Sequence, residues 1–144
     1  MTTLDQLCAS LPNGFHDAEM LKTSIDYTKQ EARLVLDVWV GDMQSVDREA
    51  YRLAEVTLTG LYYWVVEPPH PDYPFHGDSG GSGETINIRS MNDFKSPDDL
   101  KLPSVPVGIF ANYIFVSDWN SYIFVAAKDT SLVWLGDKTV RNYV

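Results

Sequence analysis

The chain has 144 residues, 44% hydrophobic and 12% aromatic, with a formal net charge of -9. That supply of core-forming side chains excludes global disorder, and no apolar run approaches the ~20 residues that a membrane-spanning helix needs. The eleven Lys and Arg are scattered among twenty Asp and Glu, so no basic patch exists for phosphate backbones and nucleic acid is excluded as a broad-surface partner.

Leu4, Leu7, Cys8 and Leu11 recur at helical spacing, and Thr3 with Gln6 has the form of a capping box, which together predict a short N-terminal helix. Pro12-Asn13-Gly14 ends it, because Pro lacks a donor and Gly tolerates positive φ. From there the period changes to two. Leu21, Thr23, Ile25 and Tyr27 alternate with Lys22, Ser24 and Asp26. After polar Thr28 to Gln30 a second apolar face follows at Leu34, Leu36, Val38 and Val40, so the two stretches are expected to form an antiparallel hairpin.

Tyr51 to Thr59 alternates again, with Ala54, Val56 and Leu58 on one side. Gly60 interrupts it, and the dense run Leu61 to Val66 is expected to continue as a strand or a bulged extension buried on both sides. Next come Pro68, Pro69, Pro71 and Pro74, then Gly77, Gly80, Gly81 and Gly83, the composition of a long exposed loop. Thr85 to Arg89 reads as a short strand and residues 97–106 as an irregular connection. Ile109 to Val116 and Tyr122 to Ala127 flank a hairpin loop at Ser117 to Ser121, and Leu132 to Leu135 adds a terminal strand. The expected fold is therefore mainly β (α+β). A single globular domain over 1-144 divides into helix and turn (1-14), strands (15-66), a long Pro/Gly loop (67-83) and further strands (84-144). About seven to eight strands would form a mostly antiparallel sheet or a partly closed barrel, with the short helix covering part of it.

Cys8 is the only cysteine, which rules out an intrachain disulfide and a thiolate zinc site. The N-terminus, Met1-Thr2-Thr3-Leu4-Asp5, lacks the basic flank and apolar stretch of a signal peptide, so a reducing cytoplasm is the expected compartment. No cofactor and no membrane is called for.

Four motifs carry possible chemistry. Gly77-Asp78-Ser79-Gly80-Gly81 matches the surroundings of the nucleophilic serine in chymotrypsin-like proteases, but Ser82 replaces the usual proline, the chain is too short for two barrels and no Ala-Ala-His-Cys setting exists. His70, Asp72, His76 and Asp78 have metal-ligating side chains, yet they share one loop with no rigid element to fix them, and a solvated loop is favoured. His16 and Asp17 sit between helix and first strand, where a structural turn is favoured over a catalytic pair. Asp118, Trp119 and Asn120 have turn-forming chemistry, with Trp119 either packed on the core or displayed to a partner. The aromatic supply at Tyr62, Tyr63, Trp64, Tyr73, Phe75, Trp119 and Tyr122 is a candidate binding surface.

Gly14-Phe15-His16-Asp17-Ala18-Glu19, Leu36-Asp37-Val38-Trp39-Val40-Gly41-Asp42, Leu58-Thr59-Gly60-Leu61, Glu67-Pro68-Pro69 with Tyr73-Pro74-Phe75, and Asp118-Trp119-Asn120-Ser121-Tyr122 form a set of phrases. Together they resemble small bacterial proteins of uncharacterised function, over most of the chain. The His-Asp start followed by strands is also similar to β-rich immunity-type domains, which neutralise toxins by binding them. The first resemblance implies no activity. The second implies a non-catalytic protein-binding or interaction module, and the acidic balance suits a basic protein partner. The competing expectation is a small metal-assisted hydrolase using His16 and Asp17. A homo-oligomer formed through an edge strand is a third possibility.

Overall fold

The computed structural model describes residues 1–71, 83–94 and 102–141. One helix, α1 (Leu4–Ala9), precedes nine strands: β1 (Ala18–Asp26), β2 (Glu31–Trp39), β3 (Ala50–Thr59), β4 (Tyr63–Val66), β5 (Glu84–Ser90), β6 (Phe110–Val116), β7 (Ser121–Ala127), β8 (Asp129–Trp134) and β9 (Thr139–Val140). The capping box forms as the sequence implies: Thr3 Oγ1 accepts from Gln6 N at 3.1 Å and Gln6 Oε1 accepts from Thr3 N at 2.9 Å. A six-residue helix is too short to persist alone. It is fixed by buried Leu4 and by the preceding segment, where Thr2 N donates to Asp129 Oδ1 at 2.6 Å and Thr130 N donates to the Thr2 carbonyl at 2.9 Å.

Eight strands follow the order β4-β7-β6-β5-β1-β2-β3-β8, with β9 pairing β3 off that path, and every pair is antiparallel. The alternation in β2 and β3 places Leu34 opposite Val56 and Leu36 opposite Ala54, all buried. In the other half Ile114 lies opposite Ile123, and Val116 and Val125 share that face. Both sets belong to one hydrophobic cluster with Leu4 and Phe15, so the sheet folds over and encloses a single core. Burying each such side chain contributes about 1.5–3 kcal/mol.

The fold-over happens at one corner. β3 runs into β4 through Gly60, and β7 runs into β8 through Lys128; Lys128 N donates to the Thr59 carbonyl at 3.0 Å and Tyr62 N to the Ala126 carbonyl at 2.7 Å. These four strands are thus one long antiparallel ribbon bent across both halves. Gly60 has φ +61, and a Cβ there would stand 2.6 Å from Lys128 Cβ, so the crossing needs glycine. β4 and β8, the two ends of the path, do not pair with each other, and the sheet is not closed.

Three expectations need correction. A bulge between Met20 and Lys22 shifts the phase of β1, burying Met20 and leaving Leu21 39% exposed, whereas simple alternation had put Leu21 inside. The run ending at Val66 is not buried on both sides: β4 is an edge strand, half-buried with Val66 exposed, and the doubly buried strand is its inner neighbour β7, from Ile123 to Ala127. β8 begins at Asp129 rather than Leu132, and the two-residue β9, too short for any alternation, raises the count to nine.

Arg141, directly after β9, organises part of the outer face. Glu19 and Asp37 are directly opposed in the β1–β2 register, a repulsive arrangement in isolation. Arg141 Nη1 donates to Glu19 Oε1 and Nη2 to Asp37 Oδ2, each at 2.5 Å, while its Cζ stands 3.7 Å from the Tyr51 ring centroid. On the other half of the sheet, Phe94, Tyr113, Phe115, Tyr122 and Phe124 pack ring on ring, with centroids 5.0–5.9 Å apart, and Phe124 is fully buried.

Candidate functional site

A groove of about 430 Å³ opens where the β1–β2 hairpin meets the start of β4; its walls include Ile25, Asp26, Tyr27, Tyr62, Tyr63 and Trp64. Each wall is set by local chemistry. Asp26 Oδ1 accepts from Thr28 N (3.0 Å), Thr28 Oγ1 (2.6 Å) and Lys29 N (3.1 Å), an Asx-type closure that fixes the turn. The Thr28 hydroxyl, then the Lys29 amide, hold this carboxyl below its ordinary range, so it is anionic at neutral pH. Gln30 exits the turn at φ +50, and its carbonyl accepts from Leu61 N at 2.8 Å, joining the two walls.

Aromatic side chains supply most of the lining. Tyr27 is 84% exposed and Tyr62 48%, with the Tyr62 and Tyr63 rings 6.0 Å apart. Burial raises the Tyr63 phenol above its ordinary range. Trp64 packs against the core and forms part of the floor. The arrangement offers flat apolar faces, phenolic hydroxyls and one anionic carboxylate.

The residues singled out in the sequence disperse. His16 and Asp17 lie in the turn before β1, with Asp17 at φ +57, His16 Nε2 3.5 Å from Asp17 Oδ2, and side chains 61% and 55% exposed. Asn13 pins that turn by donating from Nδ2 to the Trp39 carbonyl at 3.2 Å and the Gly41 carbonyl at 2.7 Å. Asp118 and Trp119 end a 3-10 turn closed by Asn120 at φ +47, and Trp119 packs on the core instead of projecting. Tyr122 sits inside the outer ring cluster. Tyr62, Tyr63 and Trp64 reach the groove. Asp72, Tyr73, Phe75, His76 and Asp78, with the Gly77–Gly81 motif, lie outside the described residues. His70 is within them, its N–H donating to the Trp119 carbonyl at 2.8 Å. No group of three or more metal-ligating side chains occurs among the described residues.

Two features were missed. Alternation groups Tyr27 with Leu21, Thr23 and Ile25, but β1 ends at Asp26 and Tyr27 stands exposed at the hairpin tip. Glu84, at the first position of β5, meets Asp118 and Trp119 across the hairpin end; burial and then the Asp118 carboxylate raise its carboxyl above the ordinary range, with the Trp119 indole opposing the rise. Nothing local in the sequence links positions so far apart.

No helix among the described residues is long and apolar enough to cross a membrane. No known protein family, curated protein or solved structure matches the chain.

Proposed function

We propose that the protein is a non-catalytic binding module, immunity-like in mode, that holds a basic protein partner in the groove between the β1–β2 hairpin and β4. The observation that carries this reading is the convergence of Tyr27, Tyr62, Tyr63 and Trp64 around the single carboxylate of Asp26. Large aromatic side chains gathered at one surface supply much of the energy at protein interfaces. The net charge of -9 favours a basic partner through steering. The lone Cys8 fits a reducing cytoplasm as the place of action. The hydrolase alternative at His16 and Asp17 has no third ligand among the described residues to build upon.

The test is affinity capture from extracts of the source cells with the wild type and a Tyr27→Ala/Tyr62→Ala double variant, followed by mass spectrometry. A protein retained by the wild type and lost from the variant, at unchanged thermal stability, is the expected result. Equal recovery by both, or turnover of a small molecule in place of capture, rejects the reading.

A further inference from the structure

The inward row of β3 carries one charged side chain. Ala50, Ala54, Val56 and Leu58 of that row are fully buried, whereas Arg52, opposite Val38 in the register with β2, is only half-buried. It stands at a mouth of the core, in a cavity of about 510 Å³ lined by Pro12, Val40, Arg52, Trp134, Asp137 and Lys138. This mouth lies at the other end of β2 from the groove. Gln30 borders the groove and Val40 the mouth, about 30 Å apart along an extended strand.

The Arg52 guanidinium is oriented by the fold without being used up. Nε donates to the Gly136 carbonyl at 2.6 Å, and Cζ stands 4.7 Å from the Trp134 ring centroid, so a hydrogen bond and a ring face together restrain the plane of the fork. Nη1 and Nη2 donate to no acceptor among the described residues, and neither is sealed from solvent. Two N–H donors held in one plane match the two oxygens of a carboxylate.

The rest of the lining limits what can bind there. Lys138 Nζ is committed to Asp47 Oδ2 at 2.8 Å, and Asp137 stands exposed at the rim with no ion pair among the described residues. Arg52 therefore favours one negative charge, while the Asp137 carboxylate opposes a second. Pro12, Val40 and Trp134 provide apolar wall for the body of a ligand. An uncharged ligand would displace water from the Nη donors and leave them unmatched, and a cation would face Arg52 directly.

We propose that this mouth binds a small organic monocarboxylate with an apolar body, its carboxylate on Nη1 and Nη2 of Arg52 and its body along Trp134, Val40 and Pro12. The site is distinct from the groove and adds a small-molecule ligand to a protein-binding module.

Three probes test it by NMR titration of the full chain: 3-phenylpropionate, its neutral amide 3-phenylpropanamide, and phenyl phosphate. The expected result is a saturable shift of the Trp134 indole N–H and the Gly136 and Asp137 amides by 3-phenylpropionate, with binding weaker by about tenfold for the amide and weaker again than the carboxylate for the phosphate. Arg52→Lys keeps the charge, loses the fork and should weaken 3-phenylpropionate by about tenfold. Asp137→Asn, on the exposed turn before β9, keeps the test decisive should Arg52→Lys not fold. It should tighten phenyl phosphate several-fold more than 3-phenylpropionate. Equal affinity for the acid and the amide, shifts at Tyr62 and Trp64 in place of Trp134 and Gly136, or no saturable response overturns the assignment, as does an unchanged affinity in Arg52→Lys or an unchanged preference in Asp137→Asn. None of these outcomes bears on partner capture at the groove.

Discussion

The corner where β3 and β7 pass into β4 and β8 and the groove between the β1–β2 hairpin and β4 are built from the same kind of strand and present opposite surfaces. At the corner Leu61, Tyr62 and Lys128 each donate a backbone N–H across the crossing, and Gly60 lets two chains approach to a distance no side chain would allow. At the groove Tyr27 and Tyr62 are left exposed, one at the β1–β2 turn and the other at the start of the edge strand β4. The corner is held by backbone pairing and close approach, whereas the groove, the face assigned to a partner under the proposed function, keeps aromatic surface exposed.

The largest effect expected from breaking the closed region is at Phe124, fully buried where Phe94, Tyr113 and Tyr122 meet around it. Phe124→Ala should cost about 3–5 kcal/mol in urea unfolding, because the surrounding rings cannot fill the cavity. Next is Arg141→Ala, expected to cost about 1–3 kcal/mol by leaving the opposed Glu19 and Asp37 carboxylates unneutralised. Adding Asp37→Asn to that variant should recover part of the loss, and a double-mutant cycle without coupling would refute the bridge. Gly60→Ala follows, at about 1–3 kcal/mol, from positive φ and the close Lys128 Cβ. A control Gly136→Ala, where a Cβ meets nothing within 4 Å, should be near neutral.

Smaller effects come from carboxyl groups, and their signs differ. Glu84 has a raised value in the folded protein, so its protonation favours folding; that contribution is complete below its ordinary range and fades as pH rises through the raised value. Glu84→Gln should therefore gain stability at neutral pH, by less than about 1 kcal/mol once solvent screening is allowed for, and flatten the pH profile in that window. Asp47 is the reverse case, held down to about 2 by Lys138 and then by Ser45. Its contribution is present above the ordinary value of 3.8 and is lost as pH falls toward about 2, so Asp47→Asn should remove part of the acid transition. Smallest in stability is the groove itself. Tyr27→Ala and Tyr62→Ala should each stay within about 0.5 kcal/mol of wild type in urea unfolding.

Local pattern determined a good deal of this protein. The capping box at Thr3 and Gln6, the inward faces of β2 and β3, the β1–β2 hairpin and the turn chemistry around Asn120 follow from propensity and period alone, because each involves residues close in sequence. The bulge that turned Leu21 outward, the edge position of β4, the capture of Glu19 and Asp37 by Arg141 and the meeting of Glu84 with Asp118 were decided only by the tertiary structure. Each depends on which strand lies beside which, and strand order is set by the global closure of one core, which no window of alternating residues contains. The groove shares both origins: Asp26 and Tyr27 are placed by a turn readable in the sequence, while Tyr62 and Trp64 reach it only because the ribbon bends at Gly60 and folds one half of the sheet over the other.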